Sequence, residues 1–275
     1  MSKTPFLKMH GTGNDFVVLD GRAREVTIDR EAAIRLSDRH FGIGCDQLLV
    51  LKPSTVADTF MRIFNADGSE ISTCGNATRC VADFLMRESG KTTASIETNA
   101  GVRHGAKSAD GGITVNMGEP KWEWQQIPLS ESRNTLHLGL EVGLLSDPVA
   151  INIGNPHAIF FVRDLNHIKL SEWGATLEHH PLFPERANIS AVQVVNESHI
   201  KMAVWERGTG ITLACGSAAC AAVVAGARRD ILQRRCTVEL PGGTLDVEWK
   251  KTATGNGEVL MSGPVAYVFD GAIEI

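Results

Sequence analysis

The chain has 275 residues, a net charge of −5, 43% hydrophobic and 21% charged residues, a length and balance that suit two soluble globular domains. The acidic balance argues against a nucleic-acid or anionic-membrane surface. Residues 1–11 lack an apolar signal core, and the longest apolar run, 214–227, is interrupted by Gly216, Ser217 and Gly226 and is too short to span a bilayer. Strand signals, short β-branched or aromatic segments bounded by Gly, Asn or Asp, fall at 16–20, 47–52, 59–65, 95–99 and 112–117. Asp29 is placed to cap a helix running through His40. After Cys74, the residues Ala77, Cys80, Val81, Phe84 and Leu85 recur at i, i+3, i+4, i+7 and i+8, one helical face, with Gly90 as its stop. The strand pattern gives way at Glu119-Pro120, which is taken as a domain boundary. Beyond it, 158–162, 191–196, 199–206, 237–240 and 244–249 read as strands. Ser171 is placed to cap a helix ending before Pro181. The run 218–227 after Cys215 is apolar all round, as in a helix buried on every side, with Arg228 and Arg229 complementing its C-terminal dipole. The closing segment, 266–275, has no counterpart in the second half and is assigned to the first domain. The domains are therefore 1–119 plus 264–275, and 120–263.

The two halves repeat. Cys74-Gly75-Asn76-Ala77 and Cys215-Gly216-Ser217-Ala218 lie 215 − 74 = 141 residues apart. The same offset pairs Gly13-Asn14 with Gly154-Asn155, Gln47 with Asn188, and Met61-Arg62-Ile63-Phe64-Asn65 with Met202-Ala203-Val204-Trp205-Glu206. Past the cysteine helices the offset becomes 142, matching Ile96-Glu97 with Val238-Glu239 and Gly101 with Gly243. Such halves, related by a pseudo-twofold axis, are expected to set two thiols across a shared cleft.

Each of these cysteines starts a predicted helix and is followed by glycine. Helix N-termini carry unpaired N–H groups and partial positive charge. A thiol there has its pKa pulled below the free value of about 8.5, and a carboxylate docks on the free amides. Gly75 and Gly216 let backbone approach a ligand. Two thiols flanking an α-carbon suit proton removal from one face and return to the other, with hydrogen bonds to the carboxylate carrying the developing charge, no metal or cofactor required, and water excluded. Taken singly, a cysteine ahead of a buried helix is a small core residue; the repeat is what raises Cys74 and Cys215 above that reading. Cys80 and Cys220 read as packing, and Cys45 and Cys236, which lack repeat partners, as structural. All six are expected to be reduced thiols in the cytoplasm.

Asn14, Gln47, Asn65, Asn155 and Asn188 lie at strand ends or turns, where an amide alone is ordinary turn chemistry. Recurrence at 14/155 and 47/188 favours lining of a common cleft. Glu206 and Arg207 replace Asn65 and Ala66, an asymmetry that an asymmetric substrate needs; Arg207 suits bidentate carboxylate binding, against the plainer reading of a solvated Glu-Arg pair. His157 is either structural or a tuner of a thiol proton.

The segments His10-Gly11-Thr12-Gly13-Asn14-Asp15-Phe16, Asn65-Ala66-Asp67-Gly68-Ser69-Glu70, Cys74-Gly75-Asn76, Gly154-Asn155-Pro156-His157, Glu206-Arg207-Gly208-Thr209-Gly210 and Ala214-Cys215-Gly216-Ser217 resemble the diaminopimelate epimerase family, from Met9 to the closing strand. The resemblance implies an α+β fold of two pseudo-symmetric domains, each a mixed, largely antiparallel sheet wrapped around a central helix. It implies a homodimer and a two-base epimerase, independent of pyridoxal phosphate and of metal, that interconverts LL- and meso-2,6-diaminoheptanedioate for lysine and cell-wall precursors. On this resemblance Cys74 and Cys215 are the acid/base pair, with His157 and Glu206 in support. Asn14, Gln47, Asn65, Asn155, Asn188, Glu206 and Arg207 bind substrate, and the amides of Gly75, Asn76, Gly216 and Ser217 hold the reacting carboxylate. Three positions depart from the family's habit: Ala77 and Ala218 stand where glycine is common, and Phe269 where a tyrosine often serves the dimer contact.

Three rivals remain at this stage. One is a racemase of the same fold acting on proline or hydroxyproline, which the Glu206-Arg207 pair and the several amides argue against. Another is a metal-binding module, for which the spacings 74/80 and 215/220 are poor signatures. The third is a binding protein with inert thiols.

Overall fold

The computed structural model describes residues 3–108, 111–252 and 255–275. The chain divides into two compact units, Met1–Val115 with Gly263–Ile275, and Asn116–Ser262; the sequence boundaries stood at 119/120 and 263/264. Among the described residues no helix is long and apolar enough to cross a membrane.

The first unit is built from β1 (Thr4–Gly11), β2 (Asn14–Asp20), α1 (Arg30–Ser37), β3 (Gln47–Lys52), β4 (Thr59–Asn65), β5 (Glu70–Ile71), α2 (Gly75–Ser89), β6 (Thr93–Thr98), β7 (Gly101–Lys107), β8 (Ile113–Asn116) and the chain's final strand, β19 (Ala266–Ile273). β19 pairs antiparallel with β1, and β1 with β2. Then β2–β3 is parallel, β3–β4 antiparallel, β4–β6 parallel, and β6–β7 and β7–β8 antiparallel. α2 packs on β1, β6 and β7, and α1 on β3 and β4. With helices available to both faces, β3 reads as a continuous apolar run, its four central residues all buried. α1, β2 and β3 close one core around Val17, Leu19, Ala33, Leu36, Leu48 and Val50.

The second unit holds β9 (Glu141–Val142), β10 (Leu145–Ser146), β11 (Val149–Asn152), β12 (Pro156–Val162), α3 (Leu170–Glu178), β13 (Asn188–Asn196), β14 (His199–Glu206), β15 (Gly210–Ile211), α4 (Gly216–Arg228), β16 (Arg235–Leu240), β17 (Gly243–Thr252) and β18 (Gly255–Gly263). Its ladder follows the same order: β11–β12 antiparallel, β12–β13 parallel, β13–β14 antiparallel, β14–β16 parallel, β16–β17 and β17–β18 antiparallel. The repeat reaches the register. Phe16 faces Gln47 as His157 faces Asn188, and Thr59 faces Ile96 as Ile200 faces Val238. α4 packs against β11, β12, β13, β16 and β17, and its residues 218–226 are all buried. The apolar-all-round reading of this helix therefore holds.

Two helix ends differ from the sequence reading. α1 stops at Ser37, not His40, because the Asp38 carboxylate takes the amide hydrogens of His40 and Phe41, at 2.7 Å each, and turns the chain. α3 begins at Leu170 with Lys169 at its N-cap, so Ser171 lies inside the first turn and caps nothing. The Asp29 cap stands, its carboxylate accepting from Ala32 N at 2.8 Å. So does the Gly90 stop, left-handed at φ 71°. β1, β7, β11 and β18 are strands that the sequence did not announce.

Candidate active site

In the first unit, Cys74 is the N-cap of α2, with extended backbone at φ −147° and ψ 118°. Helix formation behind it follows from Cys74 O accepting from Thr78 N at 2.9 Å. β1 and β2 join through Thr12 and Gly13, at φ 59° and 82°, the two-residue loop with both centres left-handed that matches the twist of a hairpin. This turn delivers Asn14 to the helix start. Asn14 Oδ1 accepts from Cys74 Sγ at 3.9 Å and from Asn76 Nδ2 at 3.2 Å, while Asn14 Nδ2 donates to Asp46 Oδ2 at 3.0 Å. Gln47 and Asn65, cross-strand partners on β3 and β4, bond through Nε2 and Oδ1 at 3.0 Å. Gln47 Oε1, shielded from solvent, has no hydrogen-bond partner among the described residues.

In the second unit, Cys215 is the N-cap of α4, again extended, at φ −127° and ψ 111°, and Cys215 O accepts from Ala219 N at 3.1 Å. Cys215 Sγ lies 3.5 Å from Ser217 Oγ. The β11–β12 turn is one residue longer than its counterpart, yet Asn155 arrives at the equivalent place and its Oδ1 lies 2.8 Å from His157 Nε2. Since Oδ1 only accepts, Nε2 carries the hydrogen and Nδ1 is left as the acceptor; that buried nitrogen has no partner among the described residues. Burial, reinforced by the charge of Arg207, lowers the His157 pKa to about 3, so its imidazole is neutral. Asn188 Nδ2 donates to Pro156 O at 3.0 Å, and its Oδ1 accepts from Arg207 N at 3.0 Å. Arg207 Nη1 donates to Glu185 O at 2.9 Å, and Glu206 accepts from Thr212 Oγ1. The equivalent scaffold positions 47/65 and 188/206 thus carry different wiring.

The remaining cysteines behave as packing. Cys45, Cys80, Cys220 and Cys236 are buried. Burial raises the thiol pKa of Cys45, pushes Cys80 up to about 12 and Cys236 up to about 11. Sequence reasoning missed four residues that hold the site's frame. Asp46 orients Asn14. Arg79, 0% exposed, donates to Asn76 Oδ1 and Thr12 Oγ1 at 2.9 Å each. Glu178 accepts from Trp205 Nε1 at 2.7 Å and Gly208 N at 2.9 Å, fixing the turn behind Glu206 and Arg207. Thr212 bonds Glu206. Only Asp46 carried a signal, its adjacency to Gln47.

The family model described as Diaminopimelate epimerase matches residues 6–123 and 149–268. A diaminopimelate epimerase of Acidiphilium cryptum is 50% identical over 98% of this chain and 96% of its own length, and one of Rhodospirillum centenum is 49% identical over 98% and 91%. Among solved structures, a phenazine biosynthesis protein of the PhzF family from Bacillus anthracis superposes with a TM-score of 0.72 at 19% identity, covering 100% of both chains. A hydroxyproline epimerase from Agrobacterium vitis gives 0.70 at 14%, covering 98% and 92%. These last two share the fold: two pseudo-symmetric halves, each mostly sheet with few helices. With both cysteine motifs, the amide positions and the register repeat in place, the chain belongs to the diaminopimelate epimerase family.

Proposed function

We propose that this chain is a cofactor-independent two-base epimerase interconverting LL- and meso-2,6-diaminoheptanedioate, a lysine and peptidoglycan precursor. The observation that carries this reading is the pair of thiols at the N-caps of equivalent helices, each followed by glycine. One cysteine, as thiolate, takes the α-proton: the C–H bond breaks and an S–H bond forms. The other, as thiol, returns a proton to the opposite face: its S–H bond breaks and the new C–H bond forms. Turnover leaves the two roles exchanged. The N–H groups of Gly75, Asn76, Gly216 and Ser217 hold the reacting carboxylate, where helix-terminal charge stabilises the developing anion. Asn14, Gln47, Asn65, Asn155, Asn188, Glu206 and Arg207 bind the substrate, chiefly its distal amino-acid end. The shielded Gln47 Oε1, an acceptor with no hydrogen-bond partner among the described residues, supports that assignment. Neutral His157 and Glu206 support the proton transfers.

The test is incubation with LL-diaminopimelate in heavy water, with a chelator and no added cofactor. Deuterium is expected at the α-carbon, together with meso product. Cys74→Ala and Cys215→Ala are each expected to lose turnover by about a thousandfold or more, the scale of a lost general acid or base. Substantial turnover in either variant sinks the two-base assignment. A homodimer, suggested by the family resemblance and by the exposed Val268 and Phe269 of β19, is tested by sedimentation equilibrium, a monomer mass refuting it. A cytoplasmic location suits six cysteines that form no disulfide and is tested by cell fractionation.

A further inference from the structure

We propose that Asp46 and Arg79 are positioning residues that fix which way round the Asn14 and Asn76 amides face Cys74. The inference rests on Cys74 being one of the two acid/base thiols. Four groups form one directed chain. Arg79 Nη1 donates to Asn76 Oδ1 at 2.9 Å, Asn76 Nδ2 to Asn14 Oδ1 at 3.2 Å, and Asn14 Nδ2 to Asp46 Oδ2 at 3.0 Å. A guanidinium only donates and a carboxylate only accepts, whereas an amide does either. With a fixed donor at one end and a fixed acceptor at the other, a single orientation of both amides satisfies every link. That orientation turns the Asn14 oxygen toward Cys74 Sγ, 3.9 Å away.

Both ends are anchored. Arg79 is fully buried, and its Nη2 holds the hydroxyl of Thr12, a non-glycine residue in the left-handed region at φ 59°. Gly11 makes room for it: a Cβ there would lie 2.9 Å from Arg79 Nη2. Asp46 accepts from Arg39 Nη2 at 2.8 Å on Oδ1 and from Asp15 N at 3.1 Å on Oδ2. Asp15 in turn bonds Lys8 and Arg39. The Asp46 carboxylate is therefore held by the Arg39 guanidinium on Oδ1 and presents Oδ2 to Asn14.

Asp46→Asn removes the obligate acceptor with little change of shape. One of the two ties on the Asn14 amide is then gone while the bond from Asn76 Nδ2 remains, so the amide turns more readily to offer its own Nδ2 to the sulfur, which favours the thiolate. The experiment is alkylation by iodoacetamide without substrate, resolved by site with mass spectrometry, Cys215 serving as the internal reference. In Asp46→Asn, Cys74 is expected to react about tenfold faster relative to Cys215, the equivalent of roughly one pKa unit, and kcat/KM to fall. Loss of a nearby negative charge also favours a thiolate, so the decisive comparison is a double-mutant cycle with Asn14→Leu, or Asn14→Ala should the leucine not fold. In either Asn14-less background Asp46→Asn is expected to leave the Cys74 to Cys215 ratio unchanged. The same acceleration with and without Asn14 overturns the proposal in favour of a through-space charge effect, and no acceleration in the wild-type background overturns it outright. Failure of the wild-type protein to exchange the α-proton would refute the epimerase reading instead, and the alkylation cycle would still decide the role of Asp46.

Discussion

At His157 the sequence left two readings open, a structural residue or a tuner of a thiol proton. Its neighbourhood, Asn155-Pro156-His157, invited a proton relay at a thiol. Subtracting the repeat offset gives 157 − 141 = 16, and Phe16 occupies the matching register position opposite Gln47. Both residues are 0% exposed. The site is a core position of the sheet, filled in one half by a benzyl group and in the other by an imidazole whose pKa burial lowers to about 3. The unfolded chain titrates the same group near 6.5, so the folded state refuses a proton that the unfolded state accepts. This contribution to stability is fully present above about pH 6.5 and is lost as pH falls toward 3, at up to roughly 1.4 kcal/mol per pH unit. Urea denaturation at pH 7.5 and 5.0 is expected to show a wild-type loss exceeding that of His157→Phe by about 2 kcal/mol. Equal losses in the two proteins would mean that His157 takes its proton without unfolding.

α2 was legible at its ends and less so along its face, whereas α1 and α3 each departed from the sequence reading at one end. Cys74 and Gly90 bracket α2 as the sequence indicated. Its apolar positions suggested one buried face, however, and the helix is enclosed much more widely: Asn76, Thr78, Arg79 and Asp83 are buried beside Ala77, Cys80, Val81 and Leu85, while Phe84 is partly exposed under Arg22. Periodicity marks which residues are apolar, whereas burial also reaches polar residues that have partners. Arg79 lies off the apolar pattern, so nothing in the sequence marked it as buried. α4 was read correctly because an all-apolar run leaves no face for water. Its Gly226 has a packing reason that sequence alone conceals: a Cβ there would sit 2.3 Å from Leu232 Cδ1, where the chain folds back against the helix. Glu178 was unreadable for the opposite reason. An acid at the end of an amphipathic helix normally faces solvent, yet here it caps an indole and a turn two elements away along the chain. Strands were missed where they are polar or glycine-rich, as in β7 with His104 and Gly105 and in β18 with its three glycines.

At the scale of the whole chain, the offset of 141 foretold that the second unit repeats the strand scheme of the first, because a repeated sequence pattern repeats its strand register. The closing strand has no repeat partner, and it pairs with β1 from Thr4↔Ile273 to His10↔Ala266. Phe269 stacks edge-on against Phe6, with centroids 6.1 Å apart, and Gly271 lies so close beneath the Phe6 ring that a Cβ would approach it to 2.7 Å. β19 thus completes the sheet at β1, and β1 ends in the turn that delivers Asn14. Seven cross-strand pairs at about half a kcal/mol each give β19 roughly 3 kcal/mol of stabilising contact. Ending the chain after Gly263 is expected to remove this support from the first unit alone. Hydrogen exchange on the truncated protein checks it, with protection expected to fall first in β1 and β2 and to persist in α4 and β11–β14. Unchanged protection of β1, or equal loss across α4, would show that β19 does not anchor the strand that presents Asn14.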